Sequence, residues 1–216
     1  MSKLLVVPDV HGRSFWKKPC KEWQDKIVFL GDYHDPYPNE LNNFKSLKNL
    51  KELVSFYKDN KDRIITLCGN HDMNYLVDPF FADRVDYFNM QKVKELLEQL
   101  NLQVAYLEDD VLFSHSGALP RWLNIHKLNV KDLPNLPLNN KALKDVSIYR
   151  GGSSKVGGIL FGDVREYLTS KHIPDLYQVF GHTQLEEAHI GEDFACLDCR
   201  KCFVMDLETK EIKEYD

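Results

Sequence analysis

The stretch Leu4-Leu5-Val6-Val7-Pro8-Asp9-Val10-His11-Gly12 decides how this chain is read. Four apolar residues run into a proline, and a carboxylate and an imidazole follow at once. A short apolar run of this kind reads as a buried strand, and polar donors just beyond it stand where an open α/β sheet places its site. The one-residue spacing predicts that Asp9 and His11 point to the same side of an extended segment.

The pattern recurs along the chain. Ile27-Val28-Phe29-Leu30 leads into Gly31-Asp32-Tyr33-His34-Asp35, and Ile64 to Leu67 leads towards Gly69-Asn70-His71-Asp72. Val111 to Ser114 precedes His115-Ser116-Gly117, and a strand predicted over 176–180 precedes Gly181-His182-Thr183. Further strands are predicted at 104–107, 185–190, 194–198, 202–207 and 211–214.

Between them, Leu41, Phe44, Leu47, Leu50, Val54 and Tyr57 recur at helical spacing, which predicts a helix over 40–58 with Lys45, Lys48, Lys51 and Lys58 on its solvated side. A second helix is predicted over 90–100, and a third over Asp163 to Ser170 with Asp163 as its cap. The prolines and glycines of 118–160 predict an irregular insert with one short helix. Alternation of strands and helices makes the class α/β, and 216 residues with 43% hydrophobic content suit a single domain over 1–216.

Composition narrows the function. A net charge of -5 leaves no broad basic footprint, so nucleic acid is expected only as a substrate end, and no stretch is long and apolar enough for a membrane span. With no room for a secretory leader before the first strand and five cysteines, an odd number, the expected location is cytoplasmic with reduced thiols. Cys196, Cys199 and Cys202 invite a metal reading, but in an extended strand Cys199 would face away from the other two, so buried packing near a hairpin is preferred.

The recurring donors point to metal chemistry. Asp9 and His11 can hold one ion; Asp32, through both carboxylate oxygens, can bridge to a second completed by Asn70, His115 and His182. Oxygen and imidazole ligation without thiolate suits manganese, iron or zinc better than calcium. About two divalent ions against two carboxylates leave a cationic site that selects phosphate, and a hydroxide between the ions is the expected nucleophile. His71 is the candidate acid for the leaving oxygen, with Asp35 fixing its tautomer, although both could instead support the metal site.

Taken together, the five fragments from Asp9 to Thr183 resemble those of the calcineurin-like metallophosphoesterase superfamily, and within it the phosphoprotein phosphatase branch that includes diadenosine tetraphosphate hydrolases. The resemblance implies two mixed β-sheets packed as a sandwich flanked by helices, and two divalent transition-metal ions, manganese foremost. In phosphodiesterase branches a histidine usually stands two residues after the position of His182; Gln184 stands here, which implies a phosphomonoesterase acting on a phosphoprotein or small phosphorylated metabolite. Alternatives are a dinucleoside polyphosphate hydrolase or phosphodiesterase, and a binding scaffold with weak catalysis.

One departure matters. Where the branch continues its second motif with Asp-Arg-Gly, this chain reads Asp35-Pro36-Tyr37, so a phosphate-gripping arginine is missing. Arg150, before Gly151, matches the context of the family's other phosphate arginine and is the expected substrate-binding residue; Arg13 and Arg121 are candidates for the lost one. The insert at 118–160 is expected to cover the site, with Trp122 and Tyr149 lining its mouth or forming its small core. His34 is expected to be a bystander, and His126, His172 and His189 to sit in solvent.

Overall fold

The computed structural model describes residues 3–77 and 84–215. The chain runs through β1 (Lys3–Val7), α1 (Lys17–Glu22), β2 (Ile27–Phe29), α2 (Asn43–Asn60), β3 (Ile64–Thr66), α3 (Asn70–Leu76) and α4 (Met90–Leu97). It continues with β4 (Ala105–Glu108), β5 (Val111–Ser114), α5 (Pro120–His126), α6 (Val164–Thr169), β6 (Tyr177–Phe180), β7 (His189–Ile190), β8 (Phe194–Cys196), β9 (Phe203–Asp206) and β10 (Ile212–Glu214). It divides into one unit of Met1–Leu102 with Arg200–Asp216, and another of Gln103–Cys199.

The first unit holds a five-stranded mixed sheet in the order β10-β9-β1-β2-β3. β1 pairs with β2 in parallel, Val6 opposite Val28, and β2 with β3, Val28 opposite Ile65. β9 and β10 complete the sheet by antiparallel pairing. Because three neighbouring strands run the same way, the residues that follow β1, β2 and β3 emerge at one edge, and these carry Asp9, Asp32 and Asn70. Leu5, Val7 and Phe29 pack into one core with Leu50, Leu53 and Val54 of α2 and Val93 and Leu97 of α4. Each such buried side chain contributes roughly 1.5–3 kcal/mol of transfer free energy.

α2 begins at Asn43, later than its apolar spacing suggests, because the Asn42 side chain accepts from the Lys45 amide and caps the helix there. Phe44, expected on the apolar stripe, is 77% exposed. Two helices have no signature in the spacing. α1 offers only Cys20 as a buried residue. α3 starts on the polar residues Asn70-His71-Asp72.

In the second unit the order is β4-β5-β6-β8-β7, with β5, β6 and β8 parallel and β4 and β7 antiparallel at the edges. His115 and His182 follow the adjacent parallel strands β5 and β6. Of the strand predicted over 185–190, only His189–Ile190 pairs, since the preceding segment turns to donate from the Leu185 amide to the Asp198 carbonyl. The 118–160 segment contains α5 and three short 3-10 helices. Trp122 is fully buried and donates to the Ala142 carbonyl, so it is core, whereas Tyr149 is exposed with the Arg165 guanidinium over its ring.

The three histidines expected in solvent are instead half-buried. His126 pairs with Asp145, His172 with Asp193 at 2.5 Å, and His189 stacks on Phe194. Cys199 lies outside any strand, at a turn where Arg200 has φ of 67°, so the strand-face argument does not apply to it. No cysteine belongs to a donor cluster among the described residues. Cys196 packs behind the β6 loop, its Sγ 3.4 Å from the Gly181 carbonyl oxygen.

Candidate active site

In the first unit the loops at the ends of β1 and β2 are bound to each other through their backbones. The His11 amide donates to the Asp32 carbonyl at 2.6 Å, and the Gly12 amide to the Tyr33 carbonyl at 3.1 Å. His11 has φ of 44°, so the segment is not extended there; the approach of Asp9 and His11, 4.0 Å apart at their nearest oxygen and nitrogen, comes from this turn rather than from strand alternation. Asp32 and Asp35 also have positive φ, at 53° and 49°. Non-glycine residues adopt this region only when their surroundings hold them there.

Gly31 and Gly69 permit the closest approach. A Cβ on Gly31 would lie 2.5 Å from the Gly69 nitrogen, and one on Gly69 would lie 2.1 Å from an Asp32 carboxylate oxygen. The Asp72 carboxylate fastens the same loops: it accepts from the amides of Asp32 and Gly69 at 2.8 Å and of Tyr33 at 3.1 Å. The Asp32 carboxylate in turn accepts from the His71 amide at 2.9 Å. Its other oxygen stands 3.4 Å from His11 Nε2.

Among the described residues His11 Nδ1 has only carbonyl oxygens as partners, those of His34 at 3.1 Å and Asp35 at 3.0 Å, so it carries the proton and leaves the Nε2 lone pair facing the carboxylates. Burial lowers its pKa to about 3, against the pull of Asp32, which keeps the ring neutral and able to bind a metal. His34 is therefore more than a bystander. Its carbonyl orients His11, and its buried ring bonds Ser46 Oγ at 2.7 Å and Asp86 at 3.3 Å.

Donor atoms of His11, Asp32 and His71 all lie within 4.8 Å of one another. His71 Nδ1 is 3.0 Å from Asp35 Oδ2, and the Tyr75 hydroxyl donates to the other Asp35 oxygen. Asn70 is half-buried at the start of α3.

In the second unit, His115 Nε2 and His182 Nδ1 converge to 3.0 Å. The Gly181 amide donates to the His115 carbonyl at 2.9 Å, tying the two loops together. His182 has φ of 64°, and Arg150 holds it by donating to its carbonyl at 2.9 Å. The same guanidinium bonds Thr183 Oγ1 at 2.9 Å and pairs with the buried Asp163 at 2.9 Å. Asp163 caps α6 through the Arg165 amide.

The family model of calcineurin-like phosphoesterases matches residues 2–186, the span that carries every one of these loops. This chain belongs to the calcineurin-like phosphoesterase family.

Solved structures share that fold. A cold-active protein-tyrosine phosphatase of a psychrophilic Shewanella species superposes with a TM-score of 0.66 at 16% identity, covering 100% of this chain and 81% of that one. A protein serine/threonine phosphatase from Saccharomyces cerevisiae, similar to human phosphatase PP5, superposes with a TM-score of 0.56 at 16% identity, covering 99% and 79%. No curated protein sequence matches the chain.

Calcineurin-like phosphoesterases use divalent metals, and the donors of the first unit fit that requirement. Buried carboxylates beside a neutral imidazole whose lone pair faces them favour a cation. Motif reading missed three contributors to this calcineurin-like site. Asp72 was within reach as the last residue of a quoted fragment, and Tyr75 lies three residues beyond it. Arg84 was not: it belongs to no motif, yet its Nη2 donates to His71 Nε2 at 2.8 Å, its Nη1 to the Asp35 carbonyl at 2.8 Å, and it lies 3.9 Å above the Tyr37 ring. Arg13, one of the expected substitutes for the missing arginine, bonds Glu40 at 2.6 Å. Arg121, the other, is exposed on α5.

Among the described residues no helix is long and apolar enough to cross a membrane.

Proposed function

We propose that this protein is a metal-dependent phosphatase that hydrolyses phosphomonoesters, with two divalent ions, manganese foremost. The candidate ligands in the first unit are Asp9, His11, Asp32 and Asn70, and in the second His115 and His182. Bound ions would neutralise phosphate charge and activate water for in-line attack.

The observation that carries the reading is His71 held between Asp35 and Arg84 beside the His11 and Asp32 donors. Asp35 fixes the Nδ1 proton, so Nε2 is the nitrogen that exchanges one with substrate. Burial disfavours the imidazolium, but Asp32 and Asp35 outweigh it and the net shift of its pKa is upward, with Arg84 opposing. When Arg84 turns from Nε2 to a phosphate oxygen, Nε2 can take a proton from solvent and pass it to the leaving oxygen, which returns the ring to its neutral form. Arg84 thus fills the part of the arginine absent at Pro36. Arg150 remains the candidate of the second unit, although its guanidinium already serves Asp163, His182 and Thr183.

A monoester presents a terminal dianion that a guanidinium can grip through two oxygens, whereas a diester presents a single charge. The test is a side-by-side assay of an aryl phosphomonoester and an aryl phosphodiester with manganese. Preference for the monoester, abolished by chelation, is expected; a strong diester preference, or equal turnover without metal, would overturn the reading.

A further inference from the structure

Apart from the donor loops, the first unit contains a cavity of about 370 Å³ lined by Arg13, Lys17, Glu40, Lys45, Lys48 and Asn49 among others. Its volume is that of a site for a small molecule. Asn49 sits on α2 and is only 4% exposed, yet neither its amide nitrogen nor its oxygen has a hydrogen-bond partner among the described residues. Arg13 shows the same feature: Nε bonds Glu40 at 2.6 Å, Nη1 reaches the Asp9 carbonyl at 3.4 Å, and the buried Nη2 has no partner among the described residues. Buried polar side chains are nearly always paired, so two in one cavity wall point to a ligand that pairs with them.

The charges indicate which kind. Glu40 is held by Arg13 and by Arg200 at 2.6 Å, and Glu52 by Lys17, which leaves Lys45 and Lys48 as exposed positive charge on the same wall. An unsatisfied guanidinium nitrogen, an amide that both donates and accepts, and two lysines suit a compact anion with several acceptor oxygens.

We propose that this cavity is a second anion site, distinct from the His11-Asp32-His71 cluster, which binds a small phosphate-bearing molecule through Asn49, Arg13, Lys45 and Lys48. It needs no turnover at the donor loops, so its test is independent of the phosphatase reading. Inorganic phosphate, and then pyrophosphate, would be titrated into metal-free, 15N-labelled protein while the Asn49 side-chain amide and the Gly12 to Ser14 backbone amides are followed by NMR. Saturable shifts at these positions are expected. Asn49→Leu and Lys45→Glu/Lys48→Glu should each weaken the apparent affinity at least tenfold, and Asn49→Leu should raise Tm, because it removes an unpaired buried amide. Three results would overturn the proposal: no saturable response at these amides, shifts confined to the His71 loop, or an affinity unchanged in both variants. A fall in Tm for Asn49→Leu would do so as well, by showing that the amide is satisfied within the protein.

Discussion

Arg84 Nη2 donates to His71 Nε2 across 2.8 Å, so the nitrogen assigned to proton transfer is covered by a cation. The contact gives Arg84 a second role beside its proposed grip on phosphate: its charge opposes protonation of the ring until another acceptor draws the guanidinium away. Arg84→Ala should lower kcat/KM for a phosphomonoester by about 10- to 100-fold, as expected for loss of a charge-assisted bond, with bound metal unchanged on elemental analysis. Arg84→Lys should recover little, because a lysine cannot reproduce the two-pronged contact to His71 and the Asp35 carbonyl.

Removing the imidazole tests the acid itself. His71→Asn should reduce kcat by roughly 10²- to 10⁴-fold, the usual range for a positioned acid or base, while metal content stays close to that of the parent protein. The decisive comparison is between leaving groups: an aryl ester whose alcohol leaves without a proton should be far less affected than an alkyl ester. Equal losses on both would remove proton donation from the account.

Asp72→Ala addresses the architecture. The variant leaves the amides of Asp32, Tyr33 and Gly69 without their acceptor in a buried setting. Each unpaired buried group costs about 1–3 kcal/mol, so the urea midpoint should fall by an amount that a single surface substitution never produces. Asp72→Asn keeps one acceptor oxygen and should fall between the two.

Acid titration should report on Asp163. Burial raises its pKa, but the hydrogen bonds from Arg165 and the charge of Arg150 prevail and hold its carboxyl below the ordinary value. A folded-state pKa below the unfolded one contributes stability that is present above the unfolded pKa of about 3.9 and is lost as pH falls through the lower folded value. Asp163→Asn should therefore be less stable than the parent at pH 7, and the difference should shrink below pH 4. Urea unfolding at the two pH values measures this; a constant difference would assign the effect to packing.

Much of this was legible in sequence because two periodicities are short-ranged. The apolar runs of β1, β2, β3 and β5 sit within a residue or two of the observed strands, and each donor follows a strand end. Where the expectation failed, a contact distant in sequence had intervened. α3 carries no apolar stripe on its first turn, where His71 and Asp72 serve the loops opposite. Arg84 reaches His71 by a route that no local pattern encodes, and its stacking on Tyr37 joins residues 47 positions apart in the chain. His34 was undervalued because its hold on His11 is made by its carbonyl, which every residue possesses, and its ring meets Ser46 and Asp86, which no motif contains.

The left-handed backbone at His11, Asp32, Asp35 and His182 sets two kinds of fitness against each other. Glycine at any of the four would relax a conformation that disfavours side chains by roughly 1–2 kcal/mol, and would delete a donor atom in the same step. Selection in the laboratory for heat tolerance alone should thus drift towards glycine wherever that relief exceeds the cost of the buried bonds lost with the side chain, and dismantle the chemistry from within. Improved variants have to be sought with activity scored alongside melting, or with the four positions locked.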